Sequence, residues 1–240
     1  MEFWMLAVLG VLLTGISKSG FAGGAGVVAV PLLALVMPVA QATALVLPLL
    51  LVMDARSISY YLRHINKAIL WRIIPGAIAG IAAGGLLLGV FSDAVLSGIL
   101  GVLCVVFAVW QSIASRLAKW RGAGWFWSVS SGLSSTLLHA GGPPINIYML
   151  SLRLPKLQWL ATTAVFFGVM NVVKIIPYTL NGQWAGTMWW QVLLLLPVAL
   201  FGVFLGKRLQ ERISEQWFMR FCCLLLFGSG MLLLKPVLFA

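Results

Sequence analysis

Lys18, Arg56 and Lys174 are basic side chains set inside long apolar stretches, and Asp54 is the one acidic residue in comparable surroundings. A charge in hydrocarbon costs about 2.5–3.5 kcal/mol on insertion scales, so each such residue needs a reason to be there. Hydroxyl donors lie beside them or at corresponding places further along: Ser17, Ser19, Ser134, Ser135 and Thr136, with Asn171 three residues before Lys174. Three positive charges against one negative, ringed by hydroxyl donors, suit an anion. A tetrahedral or pyramidal oxyanion accepts several converging donors well. Asp54 and His139 are the candidate proton carriers for such a site.

Structural roles compete at each position. Asp54 and Arg56 could neutralise each other, although two residues apart on a helix they point different ways. Lys174 stands near the end of its apolar stretch and could snorkel to the interface. Lys18 could sit at an interface if the first segment spans. His139 could cap or pack rather than titrate.

The element that holds Lys18 is Gly15 to Gly26, Gly-Ile-Ser-Lys-Ser-Gly-Phe-Ala-Gly-Gly-Ala-Gly. Backbone this rich in glycine belongs in a membrane only where protein or water satisfies it. A related stretch follows 117 positions later, Gly132 to Pro143, Gly-Leu-Ser-Ser-Thr-Leu-Leu-His-Ala-Gly-Gly-Pro. Paired interruptions at matching places in two halves point to a transporter's binding site. Broken helices would also offer free backbone N–H groups and positive dipole ends.

Composition sets the class. The chain has 240 residues, 62% hydrophobic and 9% charged, with mean hydropathy +1.05. A soluble domain carries about 25% charged residues, so this is a polytopic helical membrane protein. Continuous apolar runs of roughly 20 residues exclude a β-barrel. The first segment follows Glu2 and lacks a small-residue cleavage pattern, so it reads as retained rather than as a cleaved signal.

Taken in order, the chain gives short apolar segments at 3–16 and 27–38, then spans at 42–62, 69–91 and 94–114. The second half repeats this with short segments at 125–138 and 144–152, and spans at 157–178, 188–209 and 217–234. Gly76, Gly80 and Gly84 make one small face for close helix packing. At an offset of 117, Gly15 meets Gly132, Pro38 meets Pro155, Asp54 meets Asn171 and Tyr61 meets Tyr178. After a five-residue insertion the offset becomes 122, where Pro75 meets Pro197 and Gly80 meets Gly202. Residues 1–114 thus form a first repeat, 115–124 a cytoplasmic linker and 125–240 a second repeat.

Five segments per repeat make the second half inverted. Twelve of the sixteen basic residues fall at the loops after the third, fifth, seventh and ninth segments. By the positive-inside rule those loops are cytoplasmic and both termini periplasmic. Ten crossings and six crossings plus two re-entrant hairpins both fit this parity.

The net charge of +11 therefore orients the protein and does not imply nucleic acid. Cys104, Cys222 and Cys223 lie in apolar runs without ligand spacing and read as packing thiols. No metal, cofactor or phosphate-binding loop is expected. Ser134 and His139 lack a nucleophile elbow, so no catalytic residue is assigned. Most of the eleven tryptophans flank spans, as interface anchors do.

The Gly-Ile-Ser-Lys-Ser-Gly-Phe-Ala-Gly-Gly-Ala-Gly stretch, the His-Ala-Gly-Gly-Pro-Pro stretch and the two-repeat plan resemble the sulfite exporter TauE/SafE family of membrane permeases. The resemblance implies a permease for sulfur oxyanions or organosulfonates. It implies substrate-binding roles for Ser17, Lys18, Ser19, Ser134, Thr136, His139, Gly141 and Gly142. The expectation is an all-α secondary transporter in a bacterial inner membrane, most simply an exporter working by alternating access. Lys18, Arg56, Asn171 and Lys174 would hold a small anion, and Asp54 and His139 would couple protons. The partners are that anion and membrane lipid, and a homo-oligomer is compatible with the sequence. A passive anion channel, an importer of sulfate or sulfonate and an inert membrane subunit are the alternatives.

Overall fold

In hydrocarbon a helix satisfies every backbone polar group within its own segment, and long unalternating apolar runs take that form. The structure is a computed structural model that describes residues 1–21, 28–110 and 123–238, with no strand among them. The order is α1 (Glu2–Gly20), α2 (Ala29–Leu33), α3 (Val39–Tyr61), α4 (Lys67–Leu87) and α5 (Asp93–Trp110). It continues with α6 (Ala123–Leu138), α7 (Gly142–Ser151), α8 (Lys156–Leu180), α9 (Trp189–Leu209) and α10 (Glu215–Leu238). Gly23, Gly24 and Gly26 of the first glycine-rich stretch lie outside the described residues, as does linker 115–124 up to residue 122.

Among the described residues, six helices, α1, α3, α4, α8, α9 and α10, are long and apolar enough to cross a membrane. The apolar part of α5, Asp93–Val109, falls short of that length. Helices α2 and α7 rise only about 8 and 15 Å, well below the roughly 30 Å of a hydrocarbon core, so neither crosses alone.

The interruptions are narrower than the sequence suggests. Helix α1 does not stop at residue 16 but continues through Gly20, and α6 carries Gly132 through to Leu138. The reason is packing. A Cβ at Gly15 would meet the Ala199 carbonyl at 2.9 Å, one at Gly20 the Gly206 carbonyl at 2.6 Å, and one at Gly132 the Ala77 carbonyl. These glycines admit a neighbouring backbone; they do not end a helix.

Partners come from opposite halves. Helix α1 lies along α9 in the same direction, with Trp4 5.5 Å from Trp190 at one end and Gly20 against Gly206 at the other. Helix α4 lies along α6 in the same way: Gly76 abuts Trp125 and Ser128, Gly80 abuts Val129 and Leu133, and Gly84 abuts Thr136. The small face read from the sequence is this contact. Helices α3 and α8 cross antiparallel, since Asp54 meets Asn171 while Ile58 meets Gly168. Helix α5 pairs with α10 through Gly101 and Gly230.

Two apolar clusters result. One joins α1, α2, α3, α5, α9 and α10; the other joins α4, α7, α8 and the end of α3.

Candidate functional site

Two tyrosines 117 residues apart fix the helix ends that frame the site. The Tyr61 hydroxyl donates to the Ser19 carbonyl at 2.7 Å, and the Tyr178 hydroxyl donates to the Thr136 carbonyl at 2.8 Å. Each answers a carbonyl in the last turn of a helix, where no intrahelical donor remains. The Ser19 hydroxyl binds the Val203 carbonyl at 2.6 Å, fastening α1 to α9.

Between those ends, Lys18 forms a buried salt bridge to Asp54. Asn171 donates to the other carboxylate oxygen at 2.5 Å. Lys18 stands near the end of α1, not at its midpoint. A helical Cα–Cβ bond tilts toward the N-terminus, so the long side chain reaches back to α3. Its ammonium lies 5.2 Å from the centre of the Phe167 ring.

Lys174 is wholly buried and is held differently. Its ammonium donates to the Ser135 carbonyl at 3.2 Å and to the Ser135 hydroxyl at 3.0 Å, and meets His139 Nδ1 at 2.8 Å. No carboxylate answers it among the described residues. Of the chain's five acidic residues, Glu2, Asp93 and Glu215 open helices and Glu211 follows α9; Asp54 alone lies mid-helix. Both lysines stand where the C-terminal dipoles of α1 and α6 favour a cation, which offsets part of the cost of burying them.

His139 follows the last residue of α6 with φ +52°. That left-handed conformation normally falls to glycine at a helix end, and a non-glycine residue there marks strain worth explaining. The turn fixes the ring: Nε2 lies 2.9 Å from the Thr43 carbonyl of α3, and Nδ1 faces Lys174 and the Ser135 carbonyl. The Tyr178 ring lies parallel at 6.1 Å.

These groups surround a small cavity lined by Lys18, Leu50, Ser135, His139, Gly142, Phe167 and Asn171. Its volume is about 20 Å³, room for one water. An oxyanion enters only if the walls part.

The candidate residues divide clearly. Lys18, His139, Gly142 and Asn171 line the cavity, while Asp54 and Lys174 stand directly behind it. Arg56 does not converge with them: it is exposed on the far side of α3, with its guanidinium 4.7 Å from the Tyr60 ring. Asp54 therefore pairs with Lys18 and not with Arg56, because two residues' rotation on a helix separates their directions. Ser17 is buried in α1. The hydroxyls of Ser19, Ser134 and Thr136 serve backbone carbonyls of Val203, Ala140 and Gly132. Gly141 is held against Ser131 and Ser135, where a Cβ would lie 2.8 Å from the Ser135 Cβ. The donors expected from the start of α7 are reduced, because Pro143 and Pro144 bring no N–H.

Leu50, Phe167 and the two tyrosine anchors were not among the candidates. The repeat register carries the signal for all four: Leu50 and Phe167, like Tyr61 and Tyr178, are 117 residues apart.

The family model described as Sulfite exporter TauE/SafE matches residues 7–233, nearly the whole chain. Neither the curated proteins nor the solved structures give a match.

Proposed function

We propose, on the premise that this chain belongs to the sulfite exporter TauE/SafE family, that it is a secondary transporter exporting a small sulfur-containing anion such as sulfite or an organosulfonate. That family is one of transmembrane sulfite and sulfur-anion permeases. One observation carries the reading for this chain. Lys174 is buried without a carboxylate partner among the described residues, behind a cavity that also presents Lys18 and Asn171. An uncompensated buried charge is expensive, and a substrate anion is the natural counter-charge.

The cavity residues would act in distinct ways. Lys18 and Lys174 supply the positive field. Asn171 and Ser135 orient oxygens, and Leu50 with Phe167 bounds the space. Asp54 would balance Lys18 in the absence of substrate, so the anion competes with it. Asp54 and His139 are the candidate sites of proton coupling.

Alternating access between two inverted repeats is the proposed motion. Its support is that each short helix end is fastened to a long helix of the other half, α1 to α9 and α6 to α4. Each pair can move as one body about the α3–α8 crossing. A monovalent anion leaving a negative interior gains about 2.3 kcal/mol per 100 mV, so export needs little coupling. The proposed setting is a bacterial inner membrane with both termini in the periplasm, which the basic loops support.

Purified protein in vesicles loaded with labelled sulfite tests this. Saturable efflux that unlabelled sulfite stimulates from the far side supports a transporter. Flux that never saturates indicates a channel, and no flux rejects both.

A further inference from the structure

We infer that Lys174 and His139 hold one proton between them in the empty cavity and take up a second when a divalent anion binds. The inference rests on the anion-site reading above and specifies how that site responds to substrate charge.

The hydrogen bonds carry it. Carbonyls that can only accept face both His139 ring nitrogens, Thr43 2.9 Å from Nε2 and Ser135 3.0 Å from Nδ1. Only Nδ1 also faces a donor, Lys174, so a neutral ring carries its hydrogen on Nε2. A neutral ring then turns the Nδ1 lone pair to Lys174 at 2.8 Å. The three hydrogens of the Lys174 ammonium find three acceptors: the Ser135 carbonyl, the Ser135 hydroxyl and Nδ1. Moving that shared proton onto Nδ1 leaves the pair equally satisfied. Groups this close titrate as a pair.

A second proton also has a place. Imidazolium can donate from Nδ1 to the Ser135 carbonyl at 3.0 Å while Lys174 keeps the Ser135 hydroxyl. Two cations at this separation repel strongly unless an anion lies beside them. Ser135 and His139 both line the cavity, so a bound anion would lie there. The other ionisable groups facing the pair are Lys18, Asp54 and Tyr178; the Lys18 charge bears on both members and the Asp54 charge on Lys174. Lys18 on α1 and Asp54 on α3 form their own salt bridge, and the Tyr178 hydroxyl on α8 is bound to the Thr136 carbonyl.

Charge then sets stoichiometry. With Lys18 and Asp54 cancelling, the empty site holds one net positive charge, on the Lys174–His139 pair. A monoanion neutralises it. A dianion overshoots by one and draws a proton onto the pair.

Calorimetric titration of the detergent-solubilised full chain at neutral pH, in two buffers of different ionisation enthalpy, counts protons taken up per anion. Sulfate, a full dianion at that pH, should take up about one proton and methanesulfonate none. In His139→Gln the sulfate uptake should vanish. The same uptake with both anions, none with either, or full uptake in His139→Gln overturns the shared-proton inference. Failure of both anions to bind rejects the anion site itself.

Discussion

Asp54 and Asn171, 117 residues apart in the sequence, hydrogen-bond to each other, the Asn171 amide donating to the carboxylate at 2.5 Å. Two positions 117 residues apart thus meet directly where α3 crosses α8. One member keeps a charge and the other an amide, and the Lys18 ammonium completes the group. The asymmetry continues around it. The position of Lys18 is filled by Ser135 in the second half, and that of Ser57 by Lys174. Each half therefore brings one lysine, but from a different helix.

Replacing Asp54 with Asn would leave Lys18 buried without its carboxylate. Breaking one partner of a buried pair costs about 3–5 kcal/mol. The variant should unfold at lower temperature than the parent, and added sulfite should restore more of its thermal stability than it adds to the parent. Equal shifts in both proteins would show that the anion does not compete with Asp54 for Lys18.

The glycine faces give a stability prediction with an internal control. A Cβ at Gly80 runs into the Val129 carbonyl, whereas one at Gly228 meets nothing within 4 Å. Gly80→Ala should destabilise by about 1–3 kcal/mol through overpacking. Gly228→Ala should be neutral or gain about 0.5–1 kcal/mol from helix propensity. Thermal unfolding in detergent distinguishes them, and equal effects would contradict the α4–α6 contact.

Tyr178→Phe removes the donor to the Thr136 carbonyl and keeps the ring beside His139. An unanswered buried carbonyl costs about 1–3 kcal/mol. Both a lower melting temperature and slower sulfite flux are expected, because the end of α6 carries Ser135 and His139. Tyr61→Phe should behave alike at the end of α1. Parent-like flux from both variants would show that these anchors do not position the site.

Leu50 and Phe167 set the size of the occupant. They are 117 residues apart and both line a cavity of about 20 Å³. Phe167→Leu should shift competition against labelled sulfite toward longer organosulfonates, by about 10-fold for a pocket change of one or two carbons. An unchanged order of competition would place the selectivity elsewhere.

Much of this arrangement is legible in the sequence. Continuous apolar runs gave the helices, and Gly76, Gly80 and Gly84 marked the face that meets α6. Tyr61 and Tyr178 matched in register before their shared role was visible. The extent of α1 was not legible, because glycine in an isolated helix is a breaker and becomes favourable only once the α9 backbone is in place. Nor was the fate of the charges. Lys18 and Asp54 are 36 residues apart, and only the packing of α1 against α3 brings them together. Arg56 lies in the same apolar stretch as Asp54, yet the helix turns it outward. Apolar neighbours in sequence give depth; the direction of a side chain comes from tertiary packing.

The measurement that bears most directly on the anion site is counterflow of labelled sulfite in vesicles, comparing the parent with Lys174→Gln and Arg56→Gln. Lys174 is buried behind the cavity and Arg56 is exposed outside it. Losing a charged hydrogen-bonding group is worth about 1.5–3 kcal/mol, so Lys174→Gln should slow flux by roughly 10- to 150-fold at matched protein density. Arg56→Gln should transport like the parent. Parent-like counterflow from a folded Lys174→Gln protein would contradict the account, since a buried lysine that the anion does not need cannot be its counter-charge.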